Sequence, residues 1–247
     1  RMLTVDLGKL ALAPGTVCVD VGCGEGRHTL ATYLIDGVQA LGIDLSEQDL
    51  GTATQRIQDM TPHAPGGDIG FAAGDATGLP LSDESVDAVI ASEILEHIPN
   101  YLAVLEELWR VLKPGGRLCI SVPRHWPEWV CWQLSEGYRT TPGGHIRIFD
   151  ATHLTREVVR QGFELTGRGS AHALHVPYWW LKCLFWRSDP EPWPVRLYHQ
   201  LLVWDLMKRP WITRAIDALL NPVMGKSVVF YFTKSAVQQV APAGNPQ

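Results

Sequence analysis

Basic residues are scarce in this sequence. Lys and Arg number 21 among 247 residues and are outnumbered by 26 Asp and Glu. The deficit lies in residues 1–174, which carry 13 basic side chains against 22 acidic ones. Binding to nucleic acid needs a basic track along the phosphates, so we expect no nucleic-acid partner. Residues 175–247 carry eight basic and four acidic side chains, which keeps an anionic or membrane-surface partner open.

Paired cysteine spacings and long apolar runs are also missing. The five cysteines are Cys18, Cys23, Cys119, Cys131 and Cys183. Because they follow no disulfide-like spacing, we expect reduced thiols and a cytoplasmic protein. The most apolar stretch, VPYWWLKCLFW, is too short to cross a bilayer and contains Lys182. We therefore expect neither a membrane-spanning segment nor a signal peptide.

Strand and helix patterns alternate through the first half. Apolar, β-rich runs occupy residues 16–21, 39–43, 69–73, 86–91 and 117–122. Helical patterns cover 26–35, follow Ser46 as a cap, and run from Pro99 to Leu112. This alternation predicts a doubly wound parallel sheet with helices on both faces. Beyond an irregular segment at 124–147, the pattern predicts a helix to about Gln161, a strand near 163–174 and a last strand at 226–234.

Tryptophan is concentrated outside this alternating part. Of ten tryptophans only Trp109 lies within it, three lie in residues 124–147 and six in residues 175–225. We therefore divide the chain into a cofactor-binding core (1–122), an acceptor-side insertion (123–150) and a core helix and strand (151–174). A Trp-rich helical lid (175–225), a final core strand (226–235) and a flexible tail (236–247) follow.

A glycine-rich loop follows the first strand, in VDVGCGEGRHT. Gly22, Gly24 and Gly26 have the spacing GxGxG, and Arg27 occupies the position where a dinucleotide fingerprint needs its third glycine. The loop therefore argues against NAD or FAD. Asp20 and Asp44 close the first two strands, where a carboxylate can meet an ammonium or a ribose. Ligands of open α/β sheets bind at this carboxyl edge.

These motifs, with GDATGLPLSDESVDAVIASEILEHI and VLKPGGRLCISVP, resemble the class I S-adenosylmethionine-dependent methyltransferases over residues 16–122. The resemblance implies a seven-stranded sheet whose last strand is antiparallel, with S-adenosyl-L-methionine as cofactor and S-adenosyl-L-homocysteine as product. It implies that Asp44 holds the ribose, that Asp75 and Ala76 flank the adenine, and that Ser92 lines the methionine side. The full expected cofactor set is Asp20, Gly22, Cys23, Gly24, Gly26, Asp44, Leu45, Asp75, Ala76 and Ser92.

Three residues are candidates for catalysis. His145, in GGHIRIF, is the candidate general base for an alcohol acceptor, whose proton must leave during in-line displacement. His97 faces the same crevice, and Glu93 lies four residues before it, so the two could share a helical face. A divalent metal such as Mg²⁺ stays open there, although two residues are not a ligand set.

The tryptophans suggest the acceptor. Trp126, Trp129, Trp179 and Trp180 can form a platform for the apolar face of a sugar, with Arg147 offering polar contacts. The second half resembles bacterial sugar O-methyltransferases of the methylmannose polysaccharide 1-O-methyltransferase type. That resemblance implies an oligosaccharide acceptor, such as the 1-hydroxyl of mannose oligomers, and a role in polysaccharide biosynthesis.

Other interpretations remain open. The tryptophans can instead be the core of a lid or a homodimer surface. Trp, Leu and basic residues in YWWLKCLFW and LLVWDLMKRPWITR also suit an interfacial helix, which would make the acceptor a lipid or a quinone-like molecule at a membrane surface. A non-catalytic cofactor-binding module is a third alternative.

Overall fold

A computed structural model describes residues 3–59 and 66–236 of the chain. In this part a seven-stranded sheet is formed by β1 (Val17–Val21), β2 (Gln39–Asp44), β3 (Ile69–Ala73), β4 (Val86–Ser92), β5 (Leu112–Pro123), β6 (Phe163–Ala171) and β7 (Ser227–Lys234). The helices are α1 (Arg27–Tyr33), α2 (Glu47–Gln58), α3 (Tyr101–Val111), α4 (His125–Leu134), α5 (Glu136–Arg139), α6 (Ala151–Arg160), α7 (His175–Leu184), α8 (Trp193–Lys208) and α9 (Trp211–Met224). A 3₁₀ turn covers Leu7–Leu10.

The strand order is β3-β2-β1-β4-β5-β7-β6. The pairs among β1 to β5 are parallel, whereas β7 is antiparallel to both β5 and β6. The predicted doubly wound sheet with an antiparallel last strand is therefore confirmed. Because the parallel strands end together, Asp44, Val21, Ser92 and Ser121 lie along one carboxyl edge.

Both faces of the sheet are covered by apolar contacts. On one face Leu105 and Leu108 of α3 and Leu154 of α6 are fully buried in the larger core cluster. On the other face Leu10 packs with Tyr231 and with the cysteines of β1 and β5. All five cysteines are buried and unpaired, as predicted for reduced thiols.

The predicted helix boundaries hold to within a few residues, and the caps explain them. Ser46 accepts a hydrogen bond from Asp49 N, and Asp150 accepts one from His153 N, so both start helices as side-chain caps. The helix predicted to begin at Pro99 begins at Tyr101, because Asn100 is its cap. The helix predicted to run to Leu112 ends at Val111, and the KPGG segment that follows belongs to β5.

The prediction of an irregular segment at 124–147 is wrong for its first part. Residues 125–134 form α4 and residues 136–139 form α5. Pro127 lies in the first turn of α4, where proline needs no donor and fits the helix. The Trp-rich region folds as α7, α8 and α9, as expected for a helical insertion.

Among the described residues, none of the helices is both long and apolar enough to cross a membrane. The domain boundaries proposed from the sequence stay predictions. The predicted tail falls almost entirely on residues 237–247, which lie outside the described residues.

Candidate active site

The glycine loop after β1 has the backbone shape that only glycine adopts easily. Gly22, Gly24 and Gly26 have φ angles of 71°, 50° and 75°. A Cβ on Gly22 would overlap the side chain of Ile94, whereas one on Gly24 would meet nothing within 4 Å. The Gly24 backbone therefore borders open space at the carboxyl edge of the sheet, where a ligand can approach closely.

Asp44 connects this loop to the start of α2. Its Oδ2 accepts a hydrogen bond of 2.7 Å from Gly24 N, and its Oδ1 accepts one of 2.9 Å from Ser46 N. Each carboxylate oxygen has a further lone pair, so the predicted ribose contact is compatible with these bonds. Leu45 is exposed beside it, and Cys23 is buried with its backbone N–H bonded to Ile43 O.

Asp20 is buried under the loop. Its Oδ2 accepts hydrogen bonds from Thr29 N (3.0 Å) and Thr29 Oγ1 (2.7 Å). Burial raises the pKa of Asp20 to about 6, although both bonds from Thr29 act in the opposite direction. The carboxylate thus ties β1 to α1, and its predicted contact with the cofactor ammonium stays a prediction.

Asp75 and Ala76 follow β3. The exposed carboxylate of Asp75 accepts hydrogen bonds from Thr77 N and Thr77 Oγ1, each 2.8 Å, and these lower its pKa. Ala76 is buried. Ser92, at the end of β4, shares a hydrogen bond of 2.9 Å with Ser121 Oγ. The expected contacts of Asp75 and Ala76 with the adenine, and of Ser92 with the methionine part, stay predictions.

Glu93 does not form the helical pair with His97 that the sequence suggested. It lies in a turn with φ of 56°, so the i, i+4 geometry of a helix does not apply. Its Oε1 accepts a hydrogen bond of 2.8 Å from Ser121 Oγ at the strand edge. The expected helical pairing of Glu93 and His97 is therefore wrong, although the charge of Glu93 still acts to raise the pKa of His97 against the larger effect of burial. A catalytic role of Glu93 stays a prediction.

Two loops meet beside this edge, and the backbone joins them. Ile146 N donates to Glu96 O at 3.0 Å. His97 Nδ1 lies 3.2 Å from Gly144 O, and since a carbonyl only accepts, that nitrogen carries the proton. The loop after β4 and the loop before α6 therefore form one unit.

Arg147 braces the same unit. Its guanidinium donates to the carbonyl oxygens of Leu95, Ile98 and Pro99 at distances of 3.3, 2.7 and 2.7 Å. It also lies over the Tyr101 ring, 4.9 Å from the centroid. These donors are committed to the backbone, so a role of Arg147 in binding an acceptor stays a prediction beside this bracing role.

The joined loops place two histidines against two buried acids. His145 Nδ1 lies 2.7 Å from Glu128 Oε1 on α4, and the ring centroids of His97 and His145 are 5.0 Å apart. The Nε2 atoms of both histidines lie 4.0 Å from Glu96 Oε1. Burial, and next the neighbouring His145, lower the pKa of His97. We call Glu96, His97, His145 and Glu128 the histidine cluster.

Sequence reasoning missed both acids of this cluster. Glu96 lies in the EILEHI motif, but helical spacing predicted that Glu93, rather than Glu96, lies beside His97. Glu128 was hidden by the prediction that its segment is irregular. Tyr138, whose hydroxyl donates to Glu128 Oε1 at 2.9 Å, carries no signal in the sequence.

A cleft of about 550 Å³ opens beside the cluster. It is lined by His97, Trp132, Arg139, Thr140, Thr141 and His145, among others. Hydroxyl, guanidinium and imidazole groups with one indole ring suit a polar acceptor that carries hydroxyl groups. We call this space the histidine cleft.

The predicted tryptophan platform is divided between two environments. Trp126 and Trp180 pack against each other, with centroids 5.6 Å apart, and their indole N–H groups donate to Val223 O and Pro127 O. They join α4 to α7 and α9. Trp129 is exposed, and Trp179 stacks between Tyr138 and Lys226. Their role in acceptor binding stays a prediction.

Residues 19–120 match the family described as "Methyltransferase domain". The fold is shared with an S-adenosylmethionine-dependent methyltransferase from Methanosarcina mazei, with a TM-score of 0.63, 16% identity and coverage of 95% of this chain and 100% of that one. A putative methyltransferase from Bacillus halodurans gives a TM-score of 0.62 at 19% identity, covering 93% and 96%. The family match covers residues 19–120, less than half of the chain, and the two solved structures share the fold.

Curated relatives are similar to slightly less than half of the chain. A 27-O-demethylrifamycin SV methyltransferase from Amycolatopsis mediterranei is 36% identical over 46% of this chain and 41% of its own length. A demethylmenaquinone methyltransferase from Shouchella clausii is 36% identical over 44% of this chain and 46% of its own length. This chain thus spans less than half the length of these relatives.

Proposed function

We propose that this protein transfers a methyl group from S-adenosylmethionine to a hydroxyl oxygen bound in the histidine cleft, with His145 activating that hydroxyl. The observation that carries the proposal is the 2.7 Å contact between His145 Nδ1 and the buried Glu128 carboxylate. O-methyltransferases of Penicillium expansum and Pyrenophora dematioidea, 35% and 32% identical over about half of this chain, support the reaction class.

The cluster has the arrangement that hydroxyl activation needs. Burial raises the pKa of Glu128, but the hydrogen bond and charge of His145, the charge of Lys226 and the hydrogen bond from Tyr138 together hold that pKa below its usual value. A charged Glu128 accepts a hydrogen bond from His145 Nδ1–H. The Nε2 atom of His145 then carries a lone pair on the side of Glu96. Positioning of acceptor and sulfonium supplies most of the rate, and activation of the hydroxyl adds roughly 10²–10⁴-fold.

The lining of the cleft favours a sugar or oligosaccharide as the acceptor. Arg139, Thr140 and Thr141 offer donors and acceptors for hydroxyl groups, and Trp132 offers an apolar ring face. The indole nitrogen of Trp132 is buried without a hydrogen-bond partner. A bound hydroxyl would satisfy it.

The test separates cofactor binding from methyl transfer. His145→Ala should leave the affinity for S-adenosylmethionine within a few-fold while methyl transfer in an acceptor screen falls by about 10²–10⁴-fold. Asp44→Ala should do the reverse and weaken cofactor binding first. The exposed His153, on α6, gives the matched control His153→Ala. Equal losses of binding and transfer in His145→Ala would identify a structural role instead and contradict the proposal.

A second acceptor class is favoured by a specific surface. On α8 and α9, large apolar side chains are exposed, among them Trp193, Trp204, Met207, Trp211, Leu219 and Val223. Four basic residues of these helices, Arg196, Lys208, Arg209 and Arg214, are exposed as well. The two acids turn inward: Asp205 accepts from Thr213, and Asp217 accepts from Leu174 N and Asn221 Nδ2. We call this surface the α8–α9 face.

Exposed Trp and Leu beside uncompensated positive charge suit the interface of an anionic bilayer. The acceptor would then be a lipid or quinone-like molecule delivered from the membrane. Flotation with phosphatidylserine vesicles tests this: the protein should float, and Trp211→Ser with Leu219→Ser should abolish flotation. The alternative outcome is a protein that binds neither anionic nor neutral vesicles and forms a dimer that the same two substitutions dissociate. That result would assign the α8–α9 face to contact with a second copy of the chain.

A further inference from the structure

Glu96 is the most unusual buried group in the described part of the chain. Its side chain is 0% exposed, and neither carboxylate oxygen has a hydrogen-bond partner. A carboxylate in this situation must be neutralised, by a proton or by a cation at its oxygens. The established contacts of the fold supply neither.

The nearest groups present lone pairs rather than protons. His97 Nδ1 carries its proton toward Gly144 O, and His145 Nδ1 carries its proton toward Glu128. In the neutral imidazole the other nitrogen is then an acceptor. Both Nε2 atoms lie 4.0 Å from Glu96 Oε1, so three acceptors converge with no donor among them.

We propose that Glu96 Oε1, His97 Nε2 and His145 Nε2 bind one divalent first-row cation such as Mn²⁺, Co²⁺ or Zn²⁺. The three side chains offer ligand atoms that all lie within 4.8 Å of one another. Metal–ligand bonds of about 2.0–2.2 Å put neighbouring ligand atoms about 3.4 Å apart. The two 4.0 Å separations must then close by less than about 1 Å, and a pair at the 4.8 Å limit by about 1.4 Å. Two imidazoles and one carboxylate favour such a cation over Mg²⁺, which prefers oxygen ligands.

This site deepens the proposed function and rests on it. His97 is half-exposed toward the histidine cleft, so the cation keeps an open position for the acceptor hydroxyl. Bound there, the hydroxyl loses its proton to solvent water, and the metal-bound oxygen attacks the methyl carbon. The O–C bond forms, the C–S bond breaks, and neutral S-adenosylhomocysteine leaves. His145 acts on the hydroxyl through the cation that it binds. Glu128 orients the His145 ring by its hydrogen bond to Nδ1.

A protonated Glu96 is the competing explanation. Burial, followed by the charge of Glu93, raises its pKa well above the usual value; Glu128 acts in the same direction, whereas Lys226 lowers it. The Lys226 ammonium lies over the Trp179 ring, 5.0 Å from its centroid. A protonated Glu96 could donate to one Nε2 atom, but it would leave the other Nε2 lone pair without a donor.

Cobalt titration of the full chain, stripped of metal with EDTA, tests the site. One Co²⁺ should bind per chain with a visible absorption band and should raise the melting temperature. Glu96→Gln keeps the side-chain volume and removes the charge, so it should fold, yet it should bind Co²⁺ at least about 100-fold more weakly, beyond the effect of outer-shell changes. His97→Ala should behave alike. Glu136→Gln and His153→Ala, exposed on α5 and α6, should bind Co²⁺ as the wild type does.

The outcomes separate the two proposals. A wild-type protein that binds S-adenosylmethionine and methylates an acceptor, but shows no cobalt band and no melting shift, overturns the metal site and leaves the proposed function standing. Cobalt binding that is lost in Glu96→Gln, in a protein that methylates no hydroxyl acceptor, does the reverse. Equal cobalt affinity in Glu96→Gln and the wild type places the ion elsewhere and also overturns the site.

Discussion

The sheet core and the α8–α9 helices differ in where they place large apolar side chains. In the first, Leu105 and Leu108 of α3 are 0% exposed within the sheet core. In the second, Trp211 and Leu219 are 76% and 77% exposed. The side chains of α3 stabilise the fold by packing in the core. Those of α8 and α9 form an exposed apolar surface that the core of this chain does not cover. The α8–α9 helices therefore leave in solvent the kind of side chain that the sheet core buries.

The histidines repeat the contrast. His28 is buried and His172 is partly buried beside Thr4, and desolvation lowers the pKa of each to about 3. His97 and His145 instead face buried acids beside an open cleft. A neutral histidine in a core serves packing, while one held by a carboxylate at a cavity is available for chemistry.

The largest expected effect compares the two regions directly. Leu108→Ala should lower the free energy of unfolding by about 2–5 kcal/mol, because it leaves a cavity in the core. Leu219→Ala should change it by less than about 0.5 kcal/mol, because its side chain is already in water. Urea unfolding measures both. Comparable losses would mean that the α8–α9 face is covered in solution and would break the contrast.

Next in size is the glycine loop. Gly22→Ala should destabilise the protein by about 2–3 kcal/mol, since it combines a left-handed backbone with overlap against Ile94. Gly24→Ala meets no atom within 4 Å and should cost only about 1 kcal/mol. Its methyl group would instead enter the space assigned to the cofactor. Thermal melts should show the larger loss of stability in Gly22→Ala, and titration with S-adenosylmethionine should show the larger loss of affinity in Gly24→Ala. A larger loss of affinity in Gly22→Ala would contradict the assigned position of the cofactor.

Glu128→Gln should have a smaller but specific effect. The amide still fits and can still accept from His145, but it lacks the charge that orients a working imidazole. We expect methyl transfer to fall by about 10- to 100-fold with unchanged binding of S-adenosylmethionine. Glu136→Gln on neighbouring α5 is the matched control, and Glu128→Asp should restore part of the rate. Unchanged transfer would assign Glu128 to packing alone.

The smallest expected effect concerns acid stability. The folded pKa of His28, about 3, lies below its ordinary value of 6.5. The unfolded chain therefore binds the proton first, and stability is lost as pH falls from 6.5 toward 3. Asp20, with its pKa raised to about 6 from 3.8, acts oppositely and loses stability as pH rises through that window. His28→Gln should flatten the loss of stability between pH 7 and pH 4 in urea unfolding; an unaltered slope would contradict this.

The sheet was predictable because its signals are local. Apolar runs such as Val86–Ala91 and caps such as Ser46 act within a few residues, and the glycine loop limits its own backbone. The histidine cluster was only half predictable. His97 and His145 stand out by residue type, but Glu96 and Glu128 acquire their meaning from a contact between α4 and two loops, which no periodicity reports.

The tryptophans show a further limit. Their concentration outside the sheet was visible in the sequence, yet Trp126 faces Trp180 while Trp211 faces solvent. Helical spacing does not distinguish these orientations, because α8 and α9 are apolar on more than one side. Which face is covered depends on the path of the chain after β6.

The backbone bonds between the loop after β4 and the loop before α6 separate reactivity from recognition. His97 and His145 are held by Gly144, Glu96 and the bracing Arg147, and none of these belongs to α7, α8 or α9. Of the helices after β5, α4 contacts His145 through Glu128. Replacement of α8 and α9 by other helices should therefore leave the two histidines in place.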